Sequence, residues 1–101
     1  RMTAYIIAIR ERVRIAEEYQ EYKRLAPLTI HGAPLERITR DGSFEVLEGA
    51  DADGVSIIAF PSYQHARDWY ESEEYRPALE HRLRGTDFRL ILVDGADAEK
   101  K

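Results

Sequence analysis

The sequence predicts an α+β domain with the order strand, helix, strand, strand, helix, strand. Three observations predict it. Residues 3–9, 55–60 and 88–93 are short runs rich in β-branched, aliphatic and aromatic residues, bounded by turn formers. Between them the apolar spacing switches to that of helices. Each of those three strands is also apolar on both faces, where a half-exposed strand alternates apolar with polar.

The first strand, 3–9, places Tyr5, Ile7 and Ile9 on one face and Ala4, Ile6 and Ala8 on the other. Over 13–26, Ile15, Tyr19, Tyr22 and Ala26 recur at i, i+4, i+7 and i+11 and share one side of a helix, with Arg14, Glu17, Glu18, Gln20, Glu21, Lys23 and Arg24 opposite. Pro27 is expected to end that helix, because the residue before a proline is pushed out of the helical region. Residues 28–34 read as a connection containing Gly32. Residues 35–39 form a second strand, and Asp41-Gly42 is a turn signal leading into 43–48. The stretch 35–48 therefore reads as a hairpin, followed by a polar loop over 49–54.

In the next strand, 55–60, Val55, Ile57 and Ala59 oppose Ser56, Ile58 and Phe60. Pro61 and Ser62 stop it, and Ser62 suits the N-cap of a helix carrying Tyr63, Ala66, Trp69 and Tyr70 at helical spacing. Arg76 before Pro77 predicts a break across 72–76 and a second helical piece with proline in its first turn. Leu79 and Leu83 are its expected core contacts and Gly85 its end. In the last strand Phe88, Leu90 and Leu92 oppose Arg89, Ile91 and Val93. Residues 2–95 read as a single domain and 96–101 as a frayed charged tail.

This order is the ferredoxin-like βαββαβ sandwich. Its helices lie on one face of the sheet, which leaves the other face of three doubly apolar strands bare. Soluble monomers tolerate only a few hundred Å² of such surface. The simplest cover is a second copy packed sheet to sheet, so a homodimer is expected.

The chain has 101 residues, 44% hydrophobic and 34% charged, which suits one core. A net charge of -4 with both signs interspersed carries no basic footprint for nucleic acid. The absence of cysteine excludes disulfides and thiolate chemistry. No apolar run approaches the roughly 20 residues of a membrane span, and the start lacks the pattern of a secretory leader, so the expected location is cytoplasmic.

Several stretches resemble one family. Arg40-Asp41-Gly42-Ser43-Phe44-Glu45-Val46-Leu47-Glu48-Gly49 is similar to its Arg-x-Gly hairpin ending in Leu-Glu-Gly. Phe60-Pro61-Ser62 is similar to its Phe-Pro-Ser strand end, and 66–75 to its Ala-x-x-Trp-Tyr-x-Ser-x-x-Tyr helix. Arg82 and the closing Leu92-Val93-Asp94-Gly95 also fit. The family is domain of unknown function 1330, within the dimeric α/β barrel superfamily. The resemblance spans nearly the whole chain and implies a homodimer whose two sheets form a barrel. It implies no activity, since the superfamily holds cofactor-free monooxygenases, lactone isomerases and haem-binding members alike. The segment 29–34 departs from the family, with one Gly32 followed by Ala33 where two glycines are expected.

His31, His65 and His81 form no metal-ligating spacing, and His65 and His81 stand beside, not on, apolar helical positions, so no metal and no cofactor is expected. Tyr22, Tyr70 and Tyr75, with Trp69 near, could line a pocket for a small aromatic or carboxylate metabolite, or could simply pack with their hydroxyls at the rim. The packing reading is preferred. Among the charges the resemblance points to, Arg40 and Arg82 could clamp a carboxylate, and Glu48, if partly buried, could serve as a general base. With Arg67 and Asp87 they could equally form ion pairs that fix the hairpin and helix ends, the preferred reading. Ser62 lacks a nucleophile elbow and reads as a cap. Three functions are weighed: a cofactor-free enzyme or small-molecule binder with a pocket between sheet and helices, a structural homodimer module, and RNA recognition. The last is disfavoured by aliphatic sheet faces and acidic charge.

Overall fold

The structure, a computed structural model, describes residues 4–30, 35–40 and 42–96, with Arg40 described by its backbone alone. The departure at 31–34, Asp41 of the turn and 97–101 of the tail lie outside the described residues. The elements are β1 (Ala4–Val13), α1 (Ala16–Ile30), β2 (Glu36–Arg40), β3 (Gly54–Phe60), α2 (Tyr63–Tyr70), α3 (Arg76–Gly85) and β4 (Thr86–Asp94). The sheet is antiparallel throughout, in the order β2-β3-β1-β4, which is the ferredoxin-like arrangement expected.

Register explains why three strands are apolar twice over. On one face Ile6 pairs with Ile58 and Leu92, and Ala8 with Ser56 and Leu90. Ile6, Ile58, Phe60 and Ala66 form the buried core, with Leu35, Trp69, Leu90 and Leu92 against it. On the other face Ile7 pairs with Ile57 and Ile91, and Tyr5 with Ala59 and Val93. No helix covers this second face among the described residues, and Ile91 and Val93 stand 39% and 41% exposed on it.

Several elements differ from the sequence expectation. β1 runs to Val13, because a bulge between Arg10 and Arg12 lets it keep pairing with β4. α1 starts later and passes through Pro27 to Ile30. Its cavity-facing stripe Tyr22, Ala26 and Ile30 continues past the proline, and the Thr29 hydroxyl donates to the Ala26 carbonyl, 2.8 Å. The 35–48 hairpin does not form. β2 pairs with β3, Glu36 opposite Ala59, and 43–48 is exposed and irregular. Asp41-Gly42 is a local signal only; β3 gives β2 apolar neighbours, whereas Leu47 is 84% exposed.

The break between α2 and α3 falls where expected. Ser62 caps α2, its Oγ accepting from His65 N–H at 3.0 Å. Ser72 Oγ donates to the Trp69 carbonyl and accepts from Tyr75 N–H. Pro77 sits in the first turn of α3. The inward face of α3 then carries Tyr75, Ala78, Arg82 and Gly85, at i, i+3, i+7 and i+10, and Leu83 is exposed instead of in the core. Among the described residues no helix is long and apolar enough to cross a membrane.

Candidate functional site

α1 has no fully buried residue although it is amphipathic. The reason is a cavity of about 580 Å³ between it and the sheet. Ala8, Ala26, Ile30, Leu35, Ile58, Trp69 and Phe88 give it an apolar wall, and Tyr19, Tyr22 and Ser56 add hydroxyls. Among the described residues its charged lining is Arg10, Lys23 and Arg37, with no carboxylate among them, in a chain whose net charge is -4. A concave, mostly apolar space with a few polar groups is the usual form of a small-molecule site.

The strand period puts the cations there. Arg10 continues the Ala4, Ile6, Ala8 face of β1, and Arg37, opposite Ile58, shares that face of β2. Arg10 is held firmly: Nε donates to Asp53 Oδ2 at 3.1 Å, Nη2 to the Asp53 carbonyl at 2.6 Å and Nη1 to Tyr19 OH at 2.6 Å. Lys23 Nζ lies 4.9 Å from the centre of the Tyr19 ring, a cation–π contact. Tyr19 in turn stacks on Tyr22, 6.3 Å between centres.

Tyr22 connects the cavity to a buried cluster. Its hydroxyl lies 3.0 Å from that of Tyr75, which is fully buried. Trp69 packs on Tyr75 with centres 4.2 Å apart, and Trp69 Nε1 donates to Thr29 Oγ1 at 3.2 Å. The Arg82 guanidinium lies 5.9 Å from the Tyr22 ring centre and 5.1 Å from that of Phe88. Burial above all, then the Tyr75 phenol, holds Tyr22 well above the usual phenol range, with Arg82 acting in the opposite sense. Tyr22 is thus a neutral phenol near neutral pH, fit to donate or accept a hydrogen bond and unfit to act as a phenolate base.

The residues singled out from sequence part into groups. Tyr22, Tyr75 and Arg82 come together, and Tyr22 lines the cavity. Tyr70 reaches Tyr75, 6.0 Å between ring centres, but lines a separate hollow of about 240 Å³ with Arg67 and Glu71. Arg40 lies at the end of β2 and its side chain is outside the described residues. Glu48 is exposed in the loop before β3, without the burial a general-base role requires. Arg67 pairs with Glu71 one turn on, and Asp87 with Arg12 and Arg14, both as ion pairs that fix local structure. His81 pairs with Glu18, and His65 Nδ1 lies 2.7 Å from Ser62 Oγ. Sequence reasoning missed Arg10, Lys23 and Arg37. The parity of β1 would have found the first; the other two depend on where α1 and β2 lie.

Among solved structures, a protein of unknown function from Rhodopseudomonas palustris, RPA0582, is 22% identical, with a TM-score of 0.75 over 96% of this chain and 85% of that one. The methylated form of RPA0582 gives 23% and 0.72, over 98% and 84%. A protein from Nitrosomonas europaea, provisionally named an antibiotic biosynthesis monooxygenase, gives 13% and 0.56, over 99% and 97%. At these identities the likeness shows the fold. No curated protein matches the chain. The model of one family matches residues 3–96, almost the whole of the sheet and helices described above, and the chain belongs to that family: Domain of unknown function (DUF1330).

Proposed function

We propose that the protein binds a small organic anion, an aromatic or aliphatic carboxylate, in the cavity between α1 and the sheet. One observation carries this reading: among the described residues the cavity lining combines an apolar wall with the cations Lys23 and Arg37, and with Arg10, which is paired to Asp53, and contributes no acid of its own. In an acidic chain, gathering cations in one concave space favours an anion of matching shape and steers it inward. Any turnover of the bound molecule is the work of a cofactor-free enzyme, with cations and neutral phenols stabilising developing negative charge.

Binding is proposed to occur in a homodimer. The uncovered face of Tyr5, Ile7, Ile57, Ile91 and Val93 supports a second copy packed against it. A purely structural homodimer would use the same face and leave the cavity without a role.

Calorimetric titration with benzoate and with its neutral isostere benzamide tests the ligand reading. Benzoate is expected to bind and benzamide to bind more weakly. Ala26→Phe, which fills the cavity from α1, should abolish binding. Unchanged benzoate affinity in Ala26→Phe would falsify the cavity assignment.

A further inference from the structure

Arg82 is 4% exposed and lies on the inward face of α3. Among the described residues no carboxylate pairs with it, and its Nε–H has no acceptor. The two rings beside it, Tyr22 and Phe88, attract its charge but do not accept a directional N–H hydrogen bond as an oxygen would. A buried charge ordinarily has a paired, hydrogen-bonded partner.

The neighbouring phenols share the same imbalance. Tyr22 and Tyr75 hydroxyls are 3.0 Å apart, so one donates to the other. The accepting phenol keeps a proton of its own to give, and no other acceptor meets it among the described residues. The cluster therefore holds donors and a positive charge, and among the described residues it lacks a negatively charged acceptor. Tyr22 is also a wall of the cavity, as is Phe88.

Arg82 and Tyr75 do not line the cavity; they lie behind the wall that Tyr22 and Phe88 form. We infer that Arg82, with the Tyr22–Tyr75 pair, is an anion-recognition end that opens from the cavity when a ligand carboxylate displaces the Tyr22 ring and accepts from Arg82 Nε–H. This rests on the ligand class proposed above and fixes its orientation. The acid group points inward past the displaced Tyr22 ring, and the apolar body lies against Ile58, Leu35 and Trp69. Lys23 and Arg37, at the cavity surface, steer the anion in and are screened by salt. Arg82, shielded from water, sets how slowly it leaves.

The test is NMR of the arginine Nε–H groups of the whole protein, with the Arg82 signal assigned by its absence from Arg82→Lys. Benzoate is expected to shift that signal and benzamide to leave it in place. Arg82→Lys keeps the charge but loses the planar fork, and should weaken benzoate by about tenfold or more through faster dissociation. Lys23→Glu and Arg37→Glu should instead slow association, with an effect that fades as salt is raised. A fixed Arg82 signal at saturating benzoate overturns the inference, as does wild-type affinity in Arg82→Lys. Either result leaves the cavity reading intact so long as Ala26→Phe abolishes binding. Absence of any benzoate binding to the wild type overturns both.

Discussion

Gly85 has no side chain because Glu18 occupies the place of one. A Cβ on Gly85 would overlap Glu18 Cβ and lie 2.9 Å from the Ile15 carbonyl oxygen. The Gly85 carbonyl meanwhile accepts from Arg14 N–H at 2.7 Å and Ile15 N–H at 3.0 Å. The end of α3 is thus locked onto the start of α1, with backbone too near to retreat. Gly85→Ala is expected to destabilise by about 1–3 kcal/mol, the usual cost of overpacking a tight contact. Urea unfolding measures it, and the same variant should melt several degrees lower, at about 4–8 °C per kcal/mol for a domain of this size.

Asp87 holds the two strands beyond the bulge in β1. Arg12 donates to its Oδ2 at 2.7 and 3.0 Å, and Arg14 to its Oδ1 at 2.9 Å. These hydrogen bonds, Arg12 first, keep the Asp87 carboxyl below its ordinary range. A carboxylate whose native pKa is lowered contributes stability above its unfolded value of about 3.9, and loses it as pH falls through the native one. Stability should therefore drop on acidification below about pH 4. In Asp87→Asn that acid limb should be shallower and stability at neutral pH lower. Chemical denaturation at a series of pH values compares the two slopes.

Much of the fold was legible because it rests on periodicity. Apolar residues on both parities of 3–9, 55–60 and 88–93 are the pattern that register resolves into a core face and an uncovered face. The break at Ser72 and the cap at Ser62 follow from local backbone chemistry and appear where expected. The misreadings share one cause, tertiary context outweighing a local signal. Asp41-Gly42 marks a turn but does not choose the partner strand, and β2 paired with β3 instead. Pro27 costs α1 one hydrogen bond, yet the stripe of Tyr22, Ala26 and Ile30 carries the helix on. At the site, aromatic spacing pointed to Tyr22 and Tyr75, whereas Lys23 and Arg37 come from elements whose approach no local pattern encodes.

The Tyr22–Tyr75 pair predicts non-additive substitutions. Tyr22→Phe leaves the buried Tyr75 hydroxyl without its partner, at about 1–3 kcal/mol. Removing both hydroxyls leaves nothing unpaired, so the double variant should be destabilised by less than the sum of the singles. A double-mutant cycle from urea unfolding is expected to give a coupling of about 0.5–3 kcal/mol. Tyr22 also titrates above its unfolded value, so its contribution is full below about pH 10 and is lost as pH rises toward the native pKa. Spectrophotometric titration should show Tyr22 ionising only with alkaline unfolding.

Ile7 is the centre of the uncovered face. It lies on β1, an interior strand, and is flanked by Ile57 and Ile91 in register. Its side chain is only partly buried in the single chain, and its neighbour Ile91 is 39% exposed. A second copy seated there would bury all three against their equivalents, and a lysine in each copy would place two like charges in a dry interface. Ile7→Lys is therefore expected to convert the proposed dimer into a monomer at micromolar concentration, read by sedimentation equilibrium. In the isolated subunit the new ammonium faces water, so the variant should keep its fold and its circular dichroism. Cavity and core lie on the opposite face, which makes retained benzoate binding by the Ile7→Lys monomer the expected companion result. A wild type that sediments as a single subunit at the same concentration would remove the dimer from the proposal.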